Sequence, residues 1–207
     1  MAYKVLIVDD QALPRQYFES IVKGSANYEL TASIASATVA DAYCIGNRVD
    51  LIIMDIVMAE GINGLEAAER IKRSYPNVKI LMVTSMPDAS FLEKAKAINV
   101  DSFWYKEVQD APMLEVMDRT MQGEHVWPGN APSVKLGLVE SKELTEREQD
   151  VLRSLALGLS NQEIGDQLFM SVNTVRFHIS NLLSKTGCAT RTELAILAAR
   201  SGFAATL

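Results

Sequence analysis

Lys4-Val5-Leu6-Ile7-Val8-Asp9-Asp10 decides the reading of the first half of the chain: an apolar run the length of one buried strand, ending on two carboxylates. Four more runs of this kind follow, at Leu30 to Ile34, Leu51 to Met54, Ile80 to Val83 and Ser102 to Tyr105. Strands with no polar alternation are buried on both faces, as in parallel sheets. Between them Leu13/Tyr17/Ile21, the segment Thr38 to Asn47, Leu65/Ala68/Ile71 and Phe91/Ala95/Ile98 recur at helical spacing, and Ala111 to Met121 reads as a further helix. Strand-helix repeated five times predicts a doubly wound, five-stranded parallel α/β sheet.

In such a sheet, ligands gather beyond the carboxyl ends of the strands, near the point where strand order reverses. Asp9 and Asp10 follow the first run, Asp55 the third, Thr84 the fourth and Lys106 the fifth, so the topology predicts that all five share one rim. Three crowded carboxylates repel one another unless a cation neutralises them, and a hard divalent ion such as Mg²⁺ suits oxygen donors. Asp55 then reads as a nucleophile toward phosphorus, with the ion, the Lys106 ammonium and the Thr84 hydroxyl stabilising the equatorial oxygens. Any one acid at a strand end is ordinary as a solvated loop residue; the set in this order is what argues for a site.

From Gln122 to Lys142 the periodicity breaks over Gly123, Pro128, Gly129, Pro132 and Gly137, which predicts a linker at residues 123–142 between a domain at 1–122 and another at 143–207. The last part is all helical. Capping boxes at Thr145/Glu148, Ser160/Glu163 and Thr190/Glu193 mark three helix starts, and a fourth helix begins after Ser171. Gly165 allows a close crossing of the two central helices, which Ile164 and Leu168 grip. At 100° per residue Val172, Val175, Ile179, Leu182 and Leu183 fall on one face, and Asn173, Arg176, Phe177, Ser180 and Ser184 on the other. Arg176 suits guanine or phosphate, Asn173 adenine or backbone, and Phe177 a thymine methyl, while His178 and Lys185 lie to one flank, facing phosphate or packing. The plain alternative is a polar outer face of an amphipathic helix; Arg and Lys without any acid over residues 172–187 favour DNA.

Val8-Asp9-Asp10, Met54-Asp55, Val83-Thr84-Ser85 and Tyr105-Lys106 together resemble the signature of CheY-like receiver domains over residues 4 to 122. Leu144 to Glu148 through Gly202-Phe203 resembles the helix-turn-helix output domain of the LuxR/NarL/FixJ group of two-component response regulators. The resemblance implies a flavodoxin-like receiver and a four-helix DNA-binding domain. It implies a sensor histidine kinase that phosphorylates Asp55, a switch formed by Thr84 and Phe103, and Mg²⁺ on Asp9, Asp10, Asp55 and the Val57 backbone carbonyl. It further implies binding of promoter DNA and a homodimer on activation, with Leu194, Leu197 and Ala198 of the last helix either its contact or core.

Two departures stand out. Ala59 takes the place of the proline usual four residues after the phosphoacceptor, and Glu60-Gly61-Ile62-Asn63-Gly64 is one residue longer than usual, which predicts a looser loop. Val57 and Met86 are apolar at positions that in the family flank the path of hydrolytic water, which predicts a shielded, long-lived acyl phosphate.

A length of 207 residues suits two domains, and 48% hydrophobic with 22% charged residues is the balance of a globular protein. The net charge of -6 excludes indiscriminate nucleic-acid binding, yet the acidity belongs to the first half: residues 1–122 hold 12 Lys/Arg against 17 Asp/Glu, residues 144–207 six of each. With no apolar run near the ~20 residues of a membrane span and no signal-peptide pattern, the reading is a cytoplasmic protein. Cys44 and Cys188 lie far apart and read as packing residues. An aspartyl-phosphate phosphatase would need a carboxylate two residues after Asp55, where Val57 stands, so the expectation is no enzyme beyond the receiver's own phosphoryl transfer and slow dephosphorylation. A phosphorylation-independent DNA-binding factor with a degenerate receiver is the remaining alternative.

Overall fold

Strands β1 (Tyr3–Val8), β2 (Tyr28–Ile34), β3 (Leu51–Asp55), β4 (Lys79–Thr84) and β5 (Ser102–Tyr105) form one parallel sheet in the order β2-β1-β3-β4-β5. Helices α1 (Ala12–Lys23), α2 (Ala40–Gly46), α3 (Gly64–Ser74), α4 (Ala89–Ala97) and α5 (Met113–Met121) connect or follow them. The computed structural model describes residues 2–59, 61–86, 89–106, 111–129 and 133–201, and the chain divides into two units between residues 132 and 133.

All five apolar runs are the strands of this sheet. On one face Val5, Ile7, Leu51, Ile53, Leu81, Val83 and Trp104 pack against Phe18 and Val22 of α1 and Met113, Val116 and Met117 of α5. The alternate residues Leu6, Val8, Ile52, Met54, Ile80 and Met82 are equally buried, which is why the runs of β1, β3 and β4 show no polar alternation; edge strand β2 alternates through Thr31 and Ser33. The segment expected to be helical from Thr38 opens as a 3-10 turn, Ala37–Val39, capped by Ser36, before α2 begins. Helix α5 starts two residues later than expected because Pro112 is its N-cap: a proline fixes φ and gives no N–H to a preceding turn.

The linker expected at 123–142 is folded at both ends. Gly123, at φ +90°, turns the chain back after α5. The Phe103 N–H then donates to the Val126 carbonyl (2.9 Å), the Val126 N–H to Ser102 Oγ (3.1 Å), and Val126 packs on the receiver core. The edge of β5 is thereby covered. Further on, β6 (Lys135–Leu136) and β7 (Val139–Glu140) form a hairpin belonging to the second unit, where Leu136 is fully buried and the Leu138 N–H donates to the Thr186 carbonyl (3.0 Å). Residues 130–132, including Pro132, lie outside the described residues.

The second unit carries α6 (Glu146–Ala156), α7 (Asn161–Leu168), α8 (Val172–Thr186) and α9 (Arg191–Arg200) around Val151, Leu152, Leu155, Ile164, Val175, Ile179, Leu182 and Leu194. The boxes at Thr145 and Ser160 close in both directions. That at Thr190 closes in one: its side chain accepts the Glu193 N–H, while the Glu193 carboxylate reaches past it to the Ala189 N–H (2.9 Å). A Cβ on Gly165 would meet the Met170 carbonyl at 2.7 Å, so its small size serves the turn between α7 and α8. Leu194 and Ala198 are fully buried and Leu197 packs beside them, which resolves the alternatives for α9 to core. The end of the output match, Gly202-Phe203 and beyond, lies outside the described residues. Both cysteines are free, Cys44 buried and Cys188 half-buried. Among the described residues no helix is long and apolar enough to cross a membrane.

Candidate phosphoacceptor site and nucleic-acid face

Strand order reverses at β1, which lies between β2 and β3, so the rim beyond β1 and β3 is the switch point of the sheet. Val8 pairs in register with Met54, and the next residues along are Asp9 and Asp55. Both carboxylates are buried. Lys106, first after β5, sets its ammonium 2.7 Å from Asp9 Oδ2 and 3.0 Å from Asp55 Oδ1, bridging the two. Asp9, Asp10 and Asp55 each offer an oxygen, all within 4.8 Å of one another.

Burial pushes the Asp55 pKa up to about 7, the charges of Asp9 and Asp10 adding to it and Lys106 opposing it. Burial works against the charge on Lys106, but Asp55 and Asp9 outweigh it and hold that ammonium above its ordinary pKa.

Main-chain N–H groups and one guanidinium hold the acids. The Gln11 N–H donates to Asp9 Oδ1 (2.8 Å), the Arg15 guanidinium to the Asp9 carbonyl (2.6 Å), and the Ala59 N–H to Asp10 Oδ2 (2.7 Å). The other oxygen of Asp10, Oδ1, is buried with no hydrogen-bond partner. A buried carboxylate oxygen without a donor is costly, and a hard cation held between three carboxylates would satisfy it; the residues present fit Mg²⁺. Gly64 secures the far end of the loop after β3. Its N–H donates to the Ile56 carbonyl (2.9 Å), and a Cβ there would fall 1.8 Å from the Asp55 carbonyl oxygen, so only glycine allows the loop to close this tightly.

Thr84 ends β4 with its hydroxyl accepting the Met86 N–H (3.0 Å). Phe103 is buried, its ring centroid 5.0 Å from that of Tyr105. Val57 is half-buried in the loop after β3, and Met86 is buried. Gln11, Arg15 and Ala59 are supports that the sequence reading missed. Two of them act through the backbone N–H, which every non-proline residue has, and so leave no side-chain signal.

In the second unit Ser171 caps α8 by accepting the Thr174 N–H (3.1 Å). Asn173, Arg176, Phe177, Ser180 and Ser184 are exposed, Phe177 at 62%, while Val175, Ile179 and Leu182 are buried. The expected face is therefore free, with an arginine on it and the positive end of a helix beside it. Lys185 is different. Its ammonium lies 2.7 Å from Glu148 Oε2 and 3.4 Å from the Glu143 carbonyl, tying α8 to α6. Burial raises the Glu148 pKa, but the bonds from Lys185 and Thr145 outweigh it and hold the group below the usual carboxylate range. Lys185 thus answers a buried charge within the domain.

An acid cluster bridged by lysine at the switch point of a doubly wound sheet, followed by a helix-turn-helix with an open polar face, defines a class: a receiver joined to a DNA-binding output unit. Residues 5–118 match the response regulator receiver domain family, and residues 142–198 the bacterial regulatory proteins of the luxR family. The chain belongs to the LuxR-family two-component response regulators. It is 34% identical over 203 residues to the response regulator protein VraR of Staphylococcus aureus strain Mu3, covering 96% of this chain and 97% of that protein. Its fold is similar to RcsB of Salmonella typhimurium (TM-score 0.57, 18% identity, 94% of this chain and 97% of that one). It is also similar to ChrA, a response regulator of a heme-sensing two-component system (TM-score 0.52, 20% identity, 98% of each chain). RcsB has also been solved as two dimers bound to two parallel DNAs (TM-score 0.58, 17% identity, 95% of this chain and 98% of that one).

Proposed function

We propose that Asp55 accepts a phosphoryl group from the phosphohistidine of a sensor histidine kinase and that this modification governs binding of the second unit to promoter DNA. One observation carries the reading: the Lys106 ammonium lies between Asp9 and Asp55, and Asp10 offers a carboxylate oxygen within 4.8 Å of theirs. An Asp55 oxygen attacks phosphorus, the P–N bond breaks, and the imidazole leaves. Lys106 and Thr84 then face the charge spread over the phosphoryl oxygens. Asp9, Asp10, Asp55 and the Val57 carbonyl would hold Mg²⁺, which supplies positive charge to those oxygens.

The receiver's chemistry ends with its own phosphoryl transfer and slow loss of the group. Phosphorylation favours one of two receiver conformations, with Thr84 and Phe103 as the moving pair, and promotes a homodimer that binds DNA as a unit in the cytoplasm. Asn173, Arg176, Phe177, Ser180 and Ser184 make the contacts. DNA-bound dimers of RcsB support the dimer and the nucleic acid. Incubation with acetyl phosphate and Mg²⁺, followed by intact mass beside an Asp55→Asn control, tests the reading. One phosphoryl gained by the wild type alone is the expected result. No gain with DNA binding intact would leave a phosphorylation-independent transcription factor.

A further inference from the structure

Ala59 departs from the family's usual proline, and the departure has a chemical content: alanine has a backbone N–H and proline has none. That N–H donates to Asp10 Oδ2 at 2.7 Å, joining the loop after β3 to the loop after β1 across 49 residues of sequence. The two oxygens of Asp10 are thereby made unequal. Oδ2 is satisfied by the amide, while Oδ1 is buried and without a partner; Asp10 as a whole offers one oxygen to the cluster with Asp9 and Asp55. A carboxylate with one oxygen fastened cannot turn freely about its last side-chain bond, so the free oxygen keeps a fixed direction. The amide is itself fixed, because the loop that carries it is tied to the sheet at one end by the Ile56 N–H on the Val83 carbonyl (3.0 Å). At the other end the Gly64 N–H holds the Ile56 carbonyl (2.9 Å). The Ala59 side chain is exposed and plays no part in this.

We propose that Ala59 is a positioning residue for the divalent-cation site: its amide orients Asp10 so that Oδ1 faces the ion, and the longer loop is thereby anchored to the site it surrounds. The proposal rests on the cation reading of the acid cluster. Groups that orient metal ligands commonly change affinity by about 10–100-fold when removed, so the bond should be visible in binding alone.

The test is titration of the full chain with Mg²⁺ by calorimetry, comparing wild type, Ala59→Ser, Ala59→Pro and Asp10→Asn. Ala59→Ser keeps the amide and should bind like wild type; Ala59→Pro removes the donor, while also fixing φ, and should raise Kd about tenfold. Melting in EDTA establishes that Ala59→Pro is folded. Amide exchange at Ala59 gives an answer that does not need the proline variant: it should be slow in the wild type and at least about tenfold faster in Asp10→Ala. Equal Kd for Ala59→Pro and wild type, or equal exchange with and without the Asp10 carboxylate, overturns the positioning role. Should Asp10→Asn bind Mg²⁺ as tightly as wild type, the cation reading itself falls and takes this proposal with it.

Discussion

Replacing Asp55 with asparagine should stabilise the metal-free protein at alkaline pH. The carboxyl is pushed from an ordinary 3.8 up to about 7, mainly by burial. Because the folded pKa lies above the unfolded one, the folded protein binds this proton more tightly, and stability from this group is full below about pH 4 and lost as pH rises through about 7. At ~1.4 kcal/mol per pH unit, the interval is worth at most ~4 kcal/mol, and relaxation around the charge brings the expected effect to ~2–4 kcal/mol. Asparagine has no charge to bury and keeps an oxygen for the Lys106 ammonium. Both tryptophans, Trp104 and Trp127, belong to the first unit, so fluorescence-detected urea unfolding reads that unit by itself. In EDTA at pH 8 the Asp55→Asn midpoint should exceed the wild type's, and the gap should close toward pH 4. Saturating Mg²⁺ should narrow it at pH 8 by stabilising the wild type more, since an ion at 100 times its Kd contributes ~2.7 kcal/mol to the protein that binds it. A variant no more stable than wild type at pH 8, or a gap that ignores pH, would refute the argument.

Lys106→Met removes the cation between two buried acids; it should cost ~3 kcal/mol at pH 8 and less at pH 5 by the same unfolding assay, and slow phosphorylation by acetyl phosphate at least ~100-fold by intact mass. Arg176→Ala should weaken promoter binding and reduce the slope of log affinity against log salt by ~1 in fluorescence anisotropy. Lys185→Gln should leave that slope unchanged while destabilising the second unit by ~1–2 kcal/mol, because it leaves the Glu148 carboxylate short of a partner. The Val57→Asp, Met86→Asn pair should hasten loss of the phosphoryl group, followed by mass over time; an unaltered rate would end the shielding argument for these two side chains.

The acids, Thr84 and Lys106 were legible because each is a polar residue just past an apolar run, and the topology of a parallel sheet sends all such positions to one rim. The exposed polar face of α8 was legible for a similar reason, since a single helix sets its own angular spacing. What escaped depends on partners remote in sequence. Lys185 falls on a polar flank of the helical wheel, yet its partner Glu148 is on another helix 37 residues away. Val126 adjoins Trp127, and Leu136 sits in the short alternation Val134/Leu136/Leu138, but both lie in glycine- and proline-rich surroundings that read as linker, and only the fold shows each packed on a core. Leu194 and Ala198 have the same spacing whether a helix faces its own domain or a second copy, so the pattern had no means of choosing.

The charges of the rim also bear on why a covalent change there should be felt beyond it. Three carboxylates against one ammonium leave the ionised cluster two negative charges in excess, which a divalent ion would balance. Converting Asp55 to an acyl phosphate adds further negative charge and three strong acceptor oxygens. Thr84 would meet that change with a hydroxyl that now accepts the Met86 N–H, so its own proton is what it would have to offer a phosphoryl oxygen. Turning that hydroxyl toward a phosphoryl oxygen would act on the bond it accepts from the Met86 N–H.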